Sequence, residues 1–417
     1  MKIIADFHVH SKYSRATSKN MEIETMGEWA DLKGINLLGT GDFTHPEYFN
    51  QLKSKLEPEG NGLFRLKRKN LNVRFILSVE LSNIYSQDKK LRRIHNLVLA
   101  PSFEVAAKIN IKLGKVGKLA SDGRPIFGFS AKELLKIILD ISDECSIIPA
   151  HAWTPWFSVF GANSGFDSIE ECFGEGAKNI FAIETGLSSD PAMNWRLSKL
   201  DRISLISNSD AHSPKKLGRE ANVFNCDPSY SEIMRILREK DKKKFLYTIE
   251  FFPEEGKYHY DGHRNCKVLF SPSETKKNKY ICPECKGKLT VGVMHRIELL
   301  ADREAGFIPE KNIPYKNIIP LQEIISEVLG KRVESLAVFN EYMRIASAGG
   351  SEFDVLLELD RENLKKIAPP KIAEAIMNVR ERKVRIIPGY DGVFGKIDIF
   401  GNKKKDKKKH SGQMTLF

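Results

Sequence analysis

The sequence predicts an α/β fold up to residue 245, and three observations predict it. Short apolar runs alternate with stretches of helical amphipathic periodicity. The runs stop abruptly at histidine or carboxylate side chains, so strand ends deliver ligand-type groups. Near residue 245 the alternation gives way to a segment carrying His, Cys and Lys, and then to helical periodicity alone. Strands alternating with covering helices make a parallel sheet, so the expected architecture is an α/β barrel or a doubly wound sheet.

The elements follow in order. Lys2 to Asp6 is an apolar run ending in His8-Val9-His10, and side chains two apart on a strand share a face, so both imidazoles can reach one ion. Asn20 to Lys33 reads as a helix with Met21, Ile23, Met26, Trp29 and Ala30 apolar. The run from Ile35 ends at Asp42 and His45, and the run from Val73 ends at Glu80. His95 opens an apolar strand, and Ser130 to Glu144 is a helix in which Ser130 and Glu133 have capping-box spacing. Cys145 to Ala150 ends at His151, and Ile203 to Ser209 ends at Asp210-Ala211-His212. His8, His10, Asp42, Glu80, His95, His151, Asp210 and His212 are therefore a candidate cluster, with imidazole and carboxylate donors that suit zinc, manganese or iron rather than calcium. Active residues of a barrel gather where its strands end, which is where all of these stand.

The motifs His8-Val9-His10, Gly41-Asp42, Val79-Glu80, Pro149-Ala150-His151 and Asp210-Ala211-His212 resemble those of the PHP (polymerase and histidinol phosphatase) superfamily. The resemblance covers the first half of the chain. It implies a distorted barrel of seven strand-helix units with two or three metals at its mouth. By that resemblance His8, His10, Glu80 and Asp210 hold one metal, Glu80, His95 and His151 a second, and Asp42 and His212 serve a third. Family members often carry another ligand six residues after the HxH pair, where this chain has Ala16.

The net charge of +12 and pI near 9.2 point to a polyanionic partner, nucleic acid first. No apolar run is long enough to cross a bilayer and no leader precedes the first strand, so a cytoplasmic location with no membrane partner is expected. Cys145, Cys172 and Cys226 stand singly and read as reduced thiols. Three loops near the proposed mouth are candidates for DNA contact: basic Arg65, Lys67 and Arg68; the Gly-interrupted stretch around Lys115; and the aromatic stretch after His151. In the last, Trp153, Trp156 and Phe157 either stack a flipped base or form a hydrophobic lid.

Residues 246–300 read as a zinc-binding module, because Cys282-Pro283-Glu284-Cys285 forms a knuckle whose thiolates converge on a tetrahedral ion. Cys266 and His263 complete one structural zinc, with His259 and His295 competing for the His263 place. Residues 301–400 read as a mainly helical region, periodic from Leu321 to Lys383, ending in a hairpin from Ile386 to Phe400. Residues 401–417 read as a disordered basic tail whose Gln413, Met414, Leu416 and Phe417 are similar to the peptide that binds the bacterial β sliding clamp, more than to archaeal clamp peptides.

The full pattern, including His259-Tyr260-Asp261-Gly262-His263, resembles the endonuclease Q subgroup of the superfamily. That resemblance implies a DNA repair endonuclease cutting 5′ of hypoxanthine, uracil, xanthine or an abasic site in double- or single-stranded DNA. Its barrel ions would be zinc, manganese, magnesium or iron, acting on a bound water and on phosphodiester charge. His8, His10, Glu80, His151, Asp210 and His212 would carry the chemistry. A phosphatase of small phosphomonoesters, or a nucleic-acid-binding scaffold without activity, are the alternatives. The knuckle, basic tail and hook weigh against the first, and the nearly whole ligand set against the second.

Overall fold

The structure is a computed structural model that describes residues 1–401. Strand Lys2–Asp6 pairs in parallel with Leu37–Gly39, which pairs in parallel with Arg74–Gln87. The next neighbours are antiparallel: Arg74–Gln87 with Lys90–Ala100, and Lys90–Ala100 with Ser146–Pro149. Strands Ala182–Glu184 and Ser204–Ile206 make a parallel pair of their own. They are tied in on both sides. Ala152 donates its N–H to the Glu184 carbonyl at 2.9 Å, and His10 donates to the Ala211 carbonyl at 3.0 Å beside a Val9–Ala211 bridge. The pairing path thus returns to its starting strand.

The expectation of a parallel sheet is corrected by this mixed α/β arrangement. One cause is the link between Gln87 and Lys90, where Asp88 and Lys89 both adopt left-handed φ, 52° and 58°. Such a turn makes a hairpin and cannot make a crossover.

On the other flank of Lys2–Asp6 lie Ala221–Asn225 and Phe245–Glu250, each antiparallel to its neighbour, and then Tyr315–Asn317 in parallel. The sheet therefore continues past residue 245. The chain between Glu250 and Tyr315 leaves and re-enters it on adjacent strands.

Helices cover the apolar faces. Helix Ile23–Lys33 begins later than the sequence suggests and stops at Gly34, whose φ of 84° lets its N–H close back on the Ala30 and Asp31 carbonyls. Helix Ala131–Ile141 buries Leu134, Leu135 and Ile138, and Ser130 caps it by accepting the Glu133 N–H at 3.1 Å. The C-terminal region contains Leu321–Leu329, Leu336–Gly349, Arg361–Ile367 and Pro370–Arg380, then the hairpin Arg385–Ile387 with Lys396–Asp398.

This region docks on the sheet domain through Trp29, stacked on Tyr342 with ring centroids 6.2 Å apart. Beside them Lys33 and Glu352 form a buried ion pair at 2.6 Å. Glu352 also accepts the Tyr342 hydroxyl at 2.9 Å and the Leu321 N–H at 3.0 Å, so the buried carboxylate is well supplied with donors. No helix among the described residues is long and apolar enough to cross a membrane. The proposed clamp peptide, Gln413 to Phe417, lies outside the described residues.

Candidate active site

The ligand side chains converge because the strands turn sharply where they end. Asp42, His151 and Asp210 all adopt left-handed φ, at 44°, 30° and 47°. Strain of this kind in non-glycine residues costs about 1–3 kcal/mol each and collects at functional sites. Gly41, with φ 66°, lies so close to the first strand that a Cβ there would meet the Val9 carbonyl at 2.4 Å.

Two sets of donors result. His8, His10 and Asp210 have ligand atoms within 4.8 Å of one another, as do Glu80, His95 and His151. Glu80, 1% exposed, lies between them. Its Oε1 is 2.6 Å from His95 Nδ1 and 3.0 Å from His151 Nε2, while its Oε2 is 3.4 Å from His10 Nε2 and 3.8 Å from His8 Nε2. Each oxygen of one carboxylate therefore serves a different set, as a bridging ligand does.

The residues present fit divalent metal ions. The buried atoms His8 Nε2 and His95 Nδ1 have no hydrogen-bond partner, although His95 Nδ1 is only 2.6 Å from Glu80 Oε1. Close approach without hydrogen-bond geometry is the arrangement of two donors that share a cation.

Two carboxylates stand behind the imidazoles. Glu184 places both oxygens on His8 Nδ1, at 3.0 and 3.2 Å, and accepts the His151 N–H at 2.7 Å. It ends the strand Ala182–Glu184, where an apolar run closes on a carboxylate as the other runs do, a signal in the sequence that points to it. Asp42 is 3.3 Å from His10 Nδ1, and its Oδ2 accepts from the Ser11 N–H, the Ser11 hydroxyl and the Ser14 hydroxyl. Asp42 thus stands behind His10 and orients its ring through Oδ1. His212, expected with it to serve a third metal, hydrogen-bonds through Nδ1 to the Asp210 carbonyl at 2.9 Å, and its ring stands 4.4 Å from that of His10.

The charges follow from this packing. Burial opposes protonation of His8 and His10, but Glu184 and Asp210 around the first, and Asp210, Asp42 and Glu80 around the second, hold both well above the ordinary imidazole range. Burial and neighbouring His10 hold His212 below that range. Burial works against the charge of Glu80, but the surrounding imidazoles keep its carboxylate well below the usual range. Arg124, which the sequence did not single out, reaches Glu80 Oε2 with Nη1 at 3.0 Å. It follows Gly123, where a Cβ would lie 2.3 Å from Asp42 Oδ2.

A second cluster lies in the inserted segment. His263, Cys266, Cys282 and Cys285 bring their ligand atoms within 4.8 Å of one another. His295 instead contacts Asp261 at 2.7 Å and His259 is buried elsewhere, so His263 is the imidazole that joins the thiols. Cys282 donates its N–H to the Gly287 carbonyl at 2.8 Å, closing the knuckle turn.

A cavity of about 600 Å³ adjoins the Glu80–His95–His151 set. Trp156, Phe157, Tyr258 and Arg93 help to line it, and the Phe157 ring lies 4.6 Å from that of His95. Trp156 is 44% exposed, whereas Trp153 is 1% exposed and donates Nε1–H to Asn194 at 2.7 Å. Trp153 is therefore core, and the expectation that it stacks a base is corrected.

The basic segment makes local contacts. Arg65 lies on strand Phe64–Leu66, and Lys67 and Arg68 precede the start of the strand Arg74–Gln87. Arg65 pairs with Glu57 at 2.7 Å, and Lys67 donates to the Ser54 carbonyl at 2.7 Å. Lys115, by contrast, follows helix Phe103–Gly114, whose Asn110 donates to the Phe43 carbonyl beside Asp42.

The family model described as the MJ0043 C-terminal domain matches residues 320–383. The chain is 33% identical over 272 residues to the uncharacterized protein MJ0043 of Methanocaldococcus jannaschii, matching 62% of this chain and 33% of that protein. It thus spans about a third of that relative's length. It is 29% identical over 413 residues to the uncharacterized protein YqxK of Bacillus subtilis, covering 95% of this chain and 99% of that one. Among solved structures it resembles the lesion-specific endonuclease PfuEndoQ from Pyrococcus furiosus, at TM-score 0.85 and 32% identity, over 97% of this chain and 98% of that one. It also resembles endonuclease Q in complex with a 27-mer duplex substrate with an abasic lesion at the active site. There the TM-score is 0.83 and the identity 33%, over 98% of this chain and 100% of that one.

Proposed function

The chain belongs to the endonuclease Q family of DNA endonucleases, and we propose that it is a repair enzyme that cuts the phosphodiester 5′ of hypoxanthine, uracil, xanthine or an abasic site. The observation that carries this reading is the pair of donor sets joined by Glu80, opening beside an aromatic cavity large enough for a base. We read the closed strand path as a distorted PHP barrel. His8, His10, Asp210 and Glu80 would hold one divalent ion, and Glu80, His95 and His151 another. Bound there, the ions supply Lewis acidity toward water and toward the phosphodiester oxygens.

The remaining roles belong to the chain. Glu184 and Asp42 fix the imidazoles of His8 and His10 so that their Nε2 atoms face Glu80 and Asp210. Arg124 holds a permanent positive charge beside Glu80, suited to a phosphate oxygen. His212 uses Nδ1–H on the Asp210 carbonyl, which leaves Nε2 free to accept a proton. An extruded base would stack on Trp156 or Phe157, worth about 1–3 kcal/mol. His263, Cys266, Cys282 and Cys285 would hold one structural zinc. The segment Gln413 to Phe417 would attach the enzyme to a sliding clamp, and its deletion should abolish clamp binding while activity on a short oligonucleotide stays the same.

The test uses end-labelled duplexes with a single deoxyinosine or deoxyuridine beside an undamaged duplex, each with magnesium, manganese or zinc. A single metal-dependent nick 5′ of the lesion, lost with His8→Ala, is the expected result. Phosphate release from a small phosphomonoester without any nicking would replace the nuclease by a phosphatase.

A further inference from the structure

The loop Gly389 to Gly395 lies outside both donor sets, yet it is fixed in detail. Tyr390 and Val393 bridge each other, with Val393 donating its N–H to the Tyr390 carbonyl at 2.7 Å. The two residues between them, Asp391 and Gly392, have φ of 43° and 84°, as a tight hairpin turn of the primed type requires. Asp391 then pins the turn to the metal-binding segment. Its Oδ2 accepts the Arg264 N–H at 2.7 Å and its Oδ1 accepts the Thr290 hydroxyl at 2.7 Å.

The stem is held as firmly. Gly392 donates to the Lys257 carbonyl at 2.8 Å, Gly389 to Glu254 at 2.8 Å and Gly395 to Glu255 at 3.0 Å. The approach is so close that a Cβ on Gly395 would lie 2.1 Å from the Glu254 carbonyl.

This rigid turn carries Phe394, which at 73% exposure is the most exposed large apolar side chain among the described residues. Phe394 also lines the cavity with Trp156, Phe157 and Tyr258, so it stands at the mouth. Lys257 Nζ lies 5.7 Å from its ring, a cation placed to meet a phosphate strand. An aromatic ring held out on a stiff turn gains nothing for folding.

We propose that Phe394 is a positioning residue, a wedge that enters the base stack and fills the gap left when the lesion nucleotide moves into the cavity. Apolar wedges between base steps lower the cost of such extrusion by supplying a stacking surface. This inference rests on the nuclease reading above and deepens it.

The test compares the full chain with Phe394→Ala and Phe394→Trp. In a His8→Ala background, each protein is mixed with a duplex bearing 2-aminopurine next to an abasic-site analogue. Binding should raise the fluorescence with Phe394 and leave it flat with Ala. With His8 intact, Phe394→Ala should lose about tenfold or more in kcat/KM on a paired lesion. It should lose several-fold less on a lesion in single-stranded DNA, where no stack is opened, and Trp should restore the duplex activity. Equal losses on both substrates, or a fluorescence rise that persists without the ring, would overturn the wedge. A parent enzyme that nicks no lesion DNA would overturn the nuclease reading instead, and the fluorescence comparison, which needs no cutting, would still decide the wedge.

Discussion

Replacing Glu184 by Gln tests whether the imidazoles are aligned from behind for metal. The side chain is fully buried and presents two oxygens to three contacts: His8 Nδ1 at 3.0 and 3.2 Å, and the His151 N–H at 2.7 Å. An amide keeps one acceptor and turns an NH2 toward the other donor, so one contact becomes repulsive and the charge is lost. Removing such a supporting carboxylate costs 10- to 100-fold in metal affinity, or about 1.4–2.7 kcal/mol. Because Glu184 supports a ligand of each donor set, the upper half of that range is expected. The assay is competition for metal against a chromophoric chelator, together with nicking rates over a metal titration. The midpoint should move to higher metal, and saturating metal should restore most of the rate. An unchanged midpoint would refute the argument, and so would a rate that excess metal fails to rescue while metal affinity is intact.

Three other outcomes follow. Cys282→Ser should remove one metal equivalent and lower the thermal transition, measured by metal analysis and differential scanning; a fully metallated or equally stable variant rules out the structural site. Lys33→Met strands the buried Glu352 carboxylate and should cost about 3–5 kcal/mol in denaturant unfolding, and an unchanged midpoint would show that the pair carries no net energy. Burial, reinforced by Glu323 and opposed by Lys216, pushes Glu255 up to about 8. Its folded pKa lies above the unfolded value, so the folded state holds the extra proton and stability falls as pH rises from about 4.5 to about 8. Glu255→Gln should flatten that slope, and identical pH profiles would refute the assignment.

What the sequence revealed, and what it hid, has physical reasons. Ligands at strand ends were legible because an apolar run closing on His or Asp is a strong local contrast, as at His8, His151 and Asp210. The same contrast cannot say whether a carboxylate faces the ion or stands behind an imidazole, as Asp42 does behind His10. Arg124 sits in a loop after Gly123 and reaches Glu80 only through folding, so no run pointed to it. The antiparallel hairpin was hidden by Asp88-Lys89, a turn without the glycine that usually marks one. Trp153 and Trp156 read alike in sequence, and only packing makes the first core and the second cavity wall.

The stems of the inserted segment have a mechanical consequence. Phe245–Glu250 and Tyr315–Asn317 are paired strands, so both ends of the excursion that carries the cysteine cluster are fastened to one sheet edge. A bead on a single linker swivels, whereas a loop closed at its base resists rotation about its own axis. It is fastened again further out, where Arg296 donates to the Phe160 carbonyl at 3.0 Å and Asp391 accepts the Arg264 N–H at 2.7 Å. Closing so long a loop costs only about 4 kcal/mol of chain entropy. A change at the cysteine cluster would therefore be felt first within the excursion, while the sheet beneath, held by its own strand pairing, kept its shape.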